Sequence, residues 1–151
     1  MSRNKGDSQL YTDWLTFAEN DLFAAKALSQ NERTLALSAF CSHQAIEKSL
    51  KAYLLYRQGY APDGHNVIFL CKSAMKSKKD FSDWLDECVE LNNYYIITRY
   101  PPDFPLELSK SRVTELRKMA RRLYAFVFKT LAVDVYGALP ESMNRKEETK
   151  K

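Results

Sequence analysis

Apolar positions recur along this chain at a helical period, with no sustained alternation of the kind that marks a half-buried strand. From Tyr11 to Gln30, Trp14, Leu15, Ala18, Leu22, Ala25 and Leu28 fall on one face. Asn31-Glu32 breaks the pattern. A second helix is predicted from Arg33 to Gln58, with Leu35, Ala39, Ile46, Leu50, Tyr53 and Leu54 on one face. Gly59 follows, a residue suited to the left-handed position just past a helix end. Tyr60-Ala61-Pro62-Asp63-Gly64 is a turn by composition.

A shorter helix is predicted from His65 to Ser77, with Val67, Leu70, Cys71 and Ala74 inward. After the charged connection at Lys76–Asp80, a fourth runs from Phe81 to Thr98 and carries Trp84, Leu85, Cys88, Val89, Leu91, Asn92 and Tyr95 near its buried side. The last long helix lies between Leu106 and Asp134, its apolar face set by Val113, Leu116, Ala120, Leu123, Tyr124, Val127 and Leu131. The pattern predicts an all-α fold, an antiparallel bundle of four or five helices with short connections.

Composition agrees with a single soluble domain. The chain has 151 residues, 45% hydrophobic and 28% charged, with 4 Gly and 5 Pro. The expected layout is a polar segment at 1–10, one helical domain at 11–138, and a charged tail at 139–151 that is disordered by composition. A net charge of +4 does not by itself imply nucleic-acid binding. Cys41, Cys71 and Cys88 are dispersed, with no CxxC and only two histidines in the chain, so reduced packed thiols are expected and a zinc site is not. No secretory leader is visible, and Val67–Cys71 is far too short to span a bilayer, which takes roughly 20 apolar residues. A cytoplasmic protein is expected.

Two places carry candidate chemistry. In Tyr94-Tyr95-Ile96-Ile97-Thr98-Arg99-Tyr100-Pro101-Pro102-Asp103, three tyrosines surround one arginine and two prolines stop the segment. Arg99 then lies at or next to a last helical turn. There it either caps its own helix or, walled by tyrosine rings, holds a phosphate or carboxylate. In the second helix, His43, Glu47 and Lys51 recur at i, i+4 and i+8. They form a polar ridge on the border of the apolar face, either a salt-bridged strip or a device in which Glu47 orients Lys51 or Arg99.

His65 is expected to open its helix, as a turn contact or as a neutral histidine beside an anion site. Lys110, Arg117, Lys118, Arg121, Arg122 and Lys129 lie away from the apolar face of the last helix, as a solvated strip or as a contact for phosphates or an acidic partner. No Gly-rich phosphate loop, HExxH or serine nucleophile elbow occurs.

Three segments together resemble the HEPN domains (higher eukaryotes and prokaryotes nucleotide-binding). Ala39–Leu54 resembles the family's Q-x-x-E-K-x-L-K-A-x-L helix. Gly64-His65-Asn66 followed by Leu70 is similar to its G/T-H-D/N-L turn, with Val67 in place of leucine. Tyr94–Pro101 resembles its Y-Y-x-x-T-R-Y-P segment.

The resemblance covers about Trp14 to Leu131 and implies a compact helical bundle, similar to the helical domain of nucleotidyltransferases and often dimeric. It implies a nucleotide- or RNA-associated module, with a nucleotide as the only cofactor to consider and no metal. The subgroup it suggests accompanies a minimal nucleotidyltransferase, as in toxin–antitoxin pairs. Arg99 would grip phosphate, Tyr95 or Tyr100 would stack on a base or shape the wall, and Lys51 would add charge with Glu47 orienting it. His65 would sit at the rim, and His43 would lie nearby. Ribonuclease members carry R-x4–6-H. Here Arg33 precedes His43 by ten positions and Arg57 precedes His65 by eight, so catalysis of that kind is not expected.

Overall fold

The computed structural model describes residues 6–103 and 106–137, and among them every regular element is helical. The tail expected at 139–151 lies outside the described residues, and the segment expected at 1–10 is described only from residue 6. Helix α1 spans Tyr11–Leu28, α2 Leu35–Gln58, α3 Val67–Met75, α4 Leu85–Asn92, α5 Tyr94–Ile97 and α6 Lys110–Tyr136. Short 3-10 turns at Glu32–Thr34 and Lys79–Trp84 lead into α2 and α4.

Helices α1 and α2 form a tight antiparallel hairpin. Small residues let their backbones approach: Ala18, Ala25, Ser38, Ala39 and Ser42 are fully buried or nearly so, and the Ser38 hydroxyl donates to the Ala25 carbonyl at 2.6 Å. Lys48 pairs with Asp21 at 2.6 Å farther along. The connection is closed by side chains, with Asn31 accepting from the Arg33 amide at 2.8 Å and Thr34 donating to the Leu28 carbonyl at 2.6 Å. Past the other end of α2, Gly59 takes φ 83°, the left-handed conformation foreseen for it.

Helix α2 is the centre of the molecule and packs against α1, α3, α4, α5 and α6. Its Ile46, Leu50, Tyr53 and Leu54 join Leu70, Phe81, Leu91, Leu116, Leu123 and Val127 in one core. The loop 59–66 returns alongside α2, so that His65 sits level with Glu47. Asn66 then caps α3 by accepting from the Phe69 amide at 3.1 Å, and the Val67 amide donates to the Asn92 side chain at 3.1 Å. His65 is therefore two residues outside α3, not in its first turn. The helix expected from Phe81 to Thr98 is divided at Asn93 into α4 and the single turn of α5, and Val89, expected near its buried side, is 42% exposed because Cys88 and Leu91 are the residues that α4 turns into the core. Asn92, spent on the Val67 amide, stands at that break.

Candidate functional site

The polar ridge of α2 is not a border strip. His43 is 0% exposed, Glu47 4% and Lys51 6%, because α3, α5 and α1 cover the side of α2 that the core residues leave open. Glu47 is the hub. One carboxylate oxygen accepts from His65 Nδ1 at 2.8 Å, and the other faces Lys51 Nζ at 3.4 Å. A carboxylate this deep needs such partners, since an unpaired buried charge is strongly unfavourable. Lys51 also lies under the Trp14 ring of α1, 5.9 Å from its centroid.

Tyr95, on α5, links this buried set to the surface. Its ring lies 4.9 Å from the His65 ring at 24° and 5.0 Å from the His43 ring at 32°. Its hydroxyl accepts from Arg99 Nη1 at 2.6 Å. The Arg99 guanidinium is centred 5.6 Å from the Tyr95 ring and 5.5 Å from the Tyr100 ring, within cation–π range. Thr98 closes the turn by donating its hydroxyl to the Tyr94 carbonyl. Arg99 and Tyr100 are both exposed, Tyr100 at 61%. Among the described residues, Arg99 pairs with no carboxylate.

Burial pushes the His43 imidazole down from 6.5 to about 4, against the pull of Glu47 and the His65 backbone, which favour the charged form. His43 is thus neutral at physiological pH. Neither of its ring nitrogens has a hydrogen-bond partner among the described residues. It cannot serve as a proton donor near pH 7, whereas His65, with its side chain 47% exposed, faces solvent. The described residues contain no cluster of three His, Cys, Asp or Glu able to hold a metal ion, and no helix among them is long and apolar enough to cross a membrane.

All seven residues singled out in the sequence thus fall in one continuous set. His43, Glu47, Lys51 and Tyr95 make its packed interior, and His65, Arg99 and Tyr100 its solvent edge. Two members were missed. Trp14 looks like an ordinary core residue of an amphipathic helix, and its contact with Lys51 leaves no mark on the local pattern. Arg112 braces the far side of the tyrosine segment, donating from Nε to the Tyr94 hydroxyl at 3.2 Å and pairing with Glu90 and with Glu115. Its i, i+3 relation to Glu115 was the only signal available.

A helical bundle built on a central helix, with a carboxylate-centred polar set opening at an arginine between two tyrosines, defines the class. The HEPN domain model matches residues 11–131, and the chain belongs to the HEPN domain family. Two solved structures share the fold. TT1696 from Thermus thermophilus is 28% identical, covering 78% of this chain and 94% of its own, with a TM-score of 0.69. ST0689, described as an archaeal HEPN homologue, is 25% identical, covering 84% of this chain and 96% of its own, with a TM-score of 0.62. No curated protein matches the chain.

Proposed function

We propose that this protein is a nucleotide- or anion-binding module that acts as a homodimer, without catalysis of its own. The observation that carries the reading is Arg99. It is an exposed guanidinium held between two tyrosine rings, with no acid to neutralise it among the described residues. Such a group offers planar paired donors to a phosphate. Tyr100 supplies a ring face for a base, Tyr95 shapes the wall beneath Arg99, and His65 stands at the rim. Glu47 and Lys51 hold His65 from below, and His43 supports the Tyr95 ring. A partner that presents a nucleotide, such as a minimal nucleotidyltransferase in a toxin–antitoxin pair, fits this role.

The test is a thermal-shift titration with ATP, GTP, NAD and short RNA. At least one of these raises the melting temperature of the wild type, and Arg99→Ala abolishes the shift that a nucleotide gives while leaving the melting temperature of the free protein nearly unchanged. No shift with any of the four overturns the reading. Light scattering on the eluted protein checks the dimer, and co-purification from the native host checks the partner.

A second reading, a divergent ribonuclease, is favoured by one observation. Tyr95 joins Arg99 to His65 in space, although no R-x4–6-H spacing joins them in sequence. Cleavage of labelled RNA by wild type, lost in His65→Ala and in Arg99→Ala, would establish it. Absence of cleavage by clean protein removes it.

A further inference from the structure

A second basic feature lies away from this site, in the groove between α1 and α6. The groove has a volume of about 320 Å³. Lys26 lines it from α1, and Arg117, Lys118 and Arg121 line it from α6. Glu19 is the one carboxylate in its lining, and it accepts from the Tyr124 hydroxyl at 3.5 Å. Among the described residues none of the four cations forms an ion pair. Arg117 is partly covered. One of its terminal nitrogens donates to Ser29 at 3.1 Å, but its Nε is buried without a partner. Burial, and then the neighbouring Arg121, pull its pKa below the ordinary arginine value. Four cations thus face one concave surface, with Glu19 as the single carboxylate in its lining to offset them.

The same groove carries a large aromatic ring. Phe23 is 76% exposed, so a face of its ring is open to a ligand in the groove. Leu22 and Phe23 line the groove from α1 beside Lys26. At about 1.5 Å per residue, Phe23 stands about 14 Å along α1 from Trp14, which marks the Lys51 end of the Arg99 site.

We infer that the α1–α6 groove is a binding site for single-stranded nucleic acid, separate from the Arg99 site. Arg117, Lys118, Arg121 and Lys26 contact backbone phosphates, and Phe23 stacks on a base. The pairing of cations with an exposed ring is the combination that single-strand binders use, because phosphates supply the counter-charge and every base has a face to stack. A second copy of the chain is a poor occupant, since a two-fold contact would set this cationic patch against itself. An acidic peptide would answer the charge but leaves the ring without a role.

The experiment follows the fluorescence anisotropy of a labelled short oligouridylate at low salt, with a labelled polyglutamate peptide of equal length as the competing chemistry. Wild type binds the RNA, with affinity falling as salt rises. Lys118→Glu/Arg121→Glu weakens binding and flattens the salt dependence, each lost phosphate contact removing about 0.7 from the logarithmic slope. Phe23→Ala weakens it by about tenfold or more at unchanged salt slope, the scale of one lost base stack. The same titrations in the Arg99→Ala background remove any RNA held at the Arg99 site, and the losses caused by Lys118→Glu/Arg121→Glu and by Phe23→Ala persist there. The substituted side chains are all exposed, and thermal unfolding of each free variant checks the fold. No RNA binding by wild type, full binding by the charge-reversed variant, or polyglutamate binding as tight as RNA and indifferent to Phe23→Ala would each overturn the assignment.

Discussion

Protonating His43 should weaken the fold, and the size of the effect follows from where the ring lies. The imidazole is 0% exposed, packed on Tyr95, with its pKa lowered from 6.5 to about 4 by burial. In the unfolded chain the ring is hydrated and takes up a proton near its ordinary pKa. A depressed native pKa means that the unfolded state binds more protons between those two values, so stability falls as pH falls through that window. Above about pH 7.5 the ring is essentially neutral in both states and contributes almost no slope.

Between about pH 7.5 and about pH 5 the linkage amounts to about 2 kcal/mol lost. His43→Phe keeps a ring against Tyr95 and removes both unpartnered nitrogens, so at about pH 7.5 it should change stability by less than about 1.5 kcal/mol in either direction. Urea unfolding of wild type and variant across this range isolates the histidine, because every other ionisable group is common to both proteins. The expected result is a stability difference that is flat at high pH and then moves against the wild type by about 2 kcal/mol as the pH is lowered to about 5. A difference that stays constant across the range would refute the reasoning, since it would mean that the native ring accepts its proton as readily as the unfolded one.

Glu47→Ala leaves Lys51 buried without its carboxylate and should cost about 3–5 kcal/mol, with much of the loss restored in Glu47→Ala/Lys51→Met; denaturant midpoints of the three variants decide it. Ser38→Ala removes the hydroxyl that bonds the Ala25 carbonyl across the α1–α2 contact and should cost about 1–3 kcal/mol, read from the same kind of curve. Gly59→Ala forces a Cβ into the left-handed conformation at the end of α2 and should cost about 1–2 kcal/mol. Nothing lies within 4 Å of the added carbon, so a loss well beyond that range would show that the backbone strain is not the cause.

The elements themselves were legible because their signals are local. Gly59 and the proline pair at Pro101-Pro102 act through backbone freedom, and the apolar faces of α1 and α6 repeat along the chain. The depth of the α2 ridge was not legible. Periodicity identifies a helix's most apolar face, but a helix packed on several sides also buries its polar residues, and spacing does not reveal how many neighbours arrive. His65 stood two residues nearer its helix in the sequence-based expectation than in the fold, because Asn66 could take the cap as readily. The break at Asn93 escaped notice because a tertiary bond, Asn92 to the Val67 amide, occupies the side chain beside it. The Tyr95 contacts with two histidines from separate segments are likewise tertiary. Family resemblance drew Arg99, Lys51 and His65 together, and the geometry adds that Glu47 and Tyr95 are the residues that join them.

Helix α2 carries both the centre of the core and the buried half of the candidate site, and this has an evolutionary consequence. Under the proposed function, a substitution at Glu47 or Lys51 would alter ligand affinity and thermodynamic stability in the same step, so neither could drift alone without a compensating change nearby. Arg99 and Tyr100 stand exposed on a short segment that the core does not need. New ligand preferences can therefore arise there at little risk to folding. Divergence in this lineage should be concentrated at the solvent edge of the site, while its buried half changes in coordinated pairs.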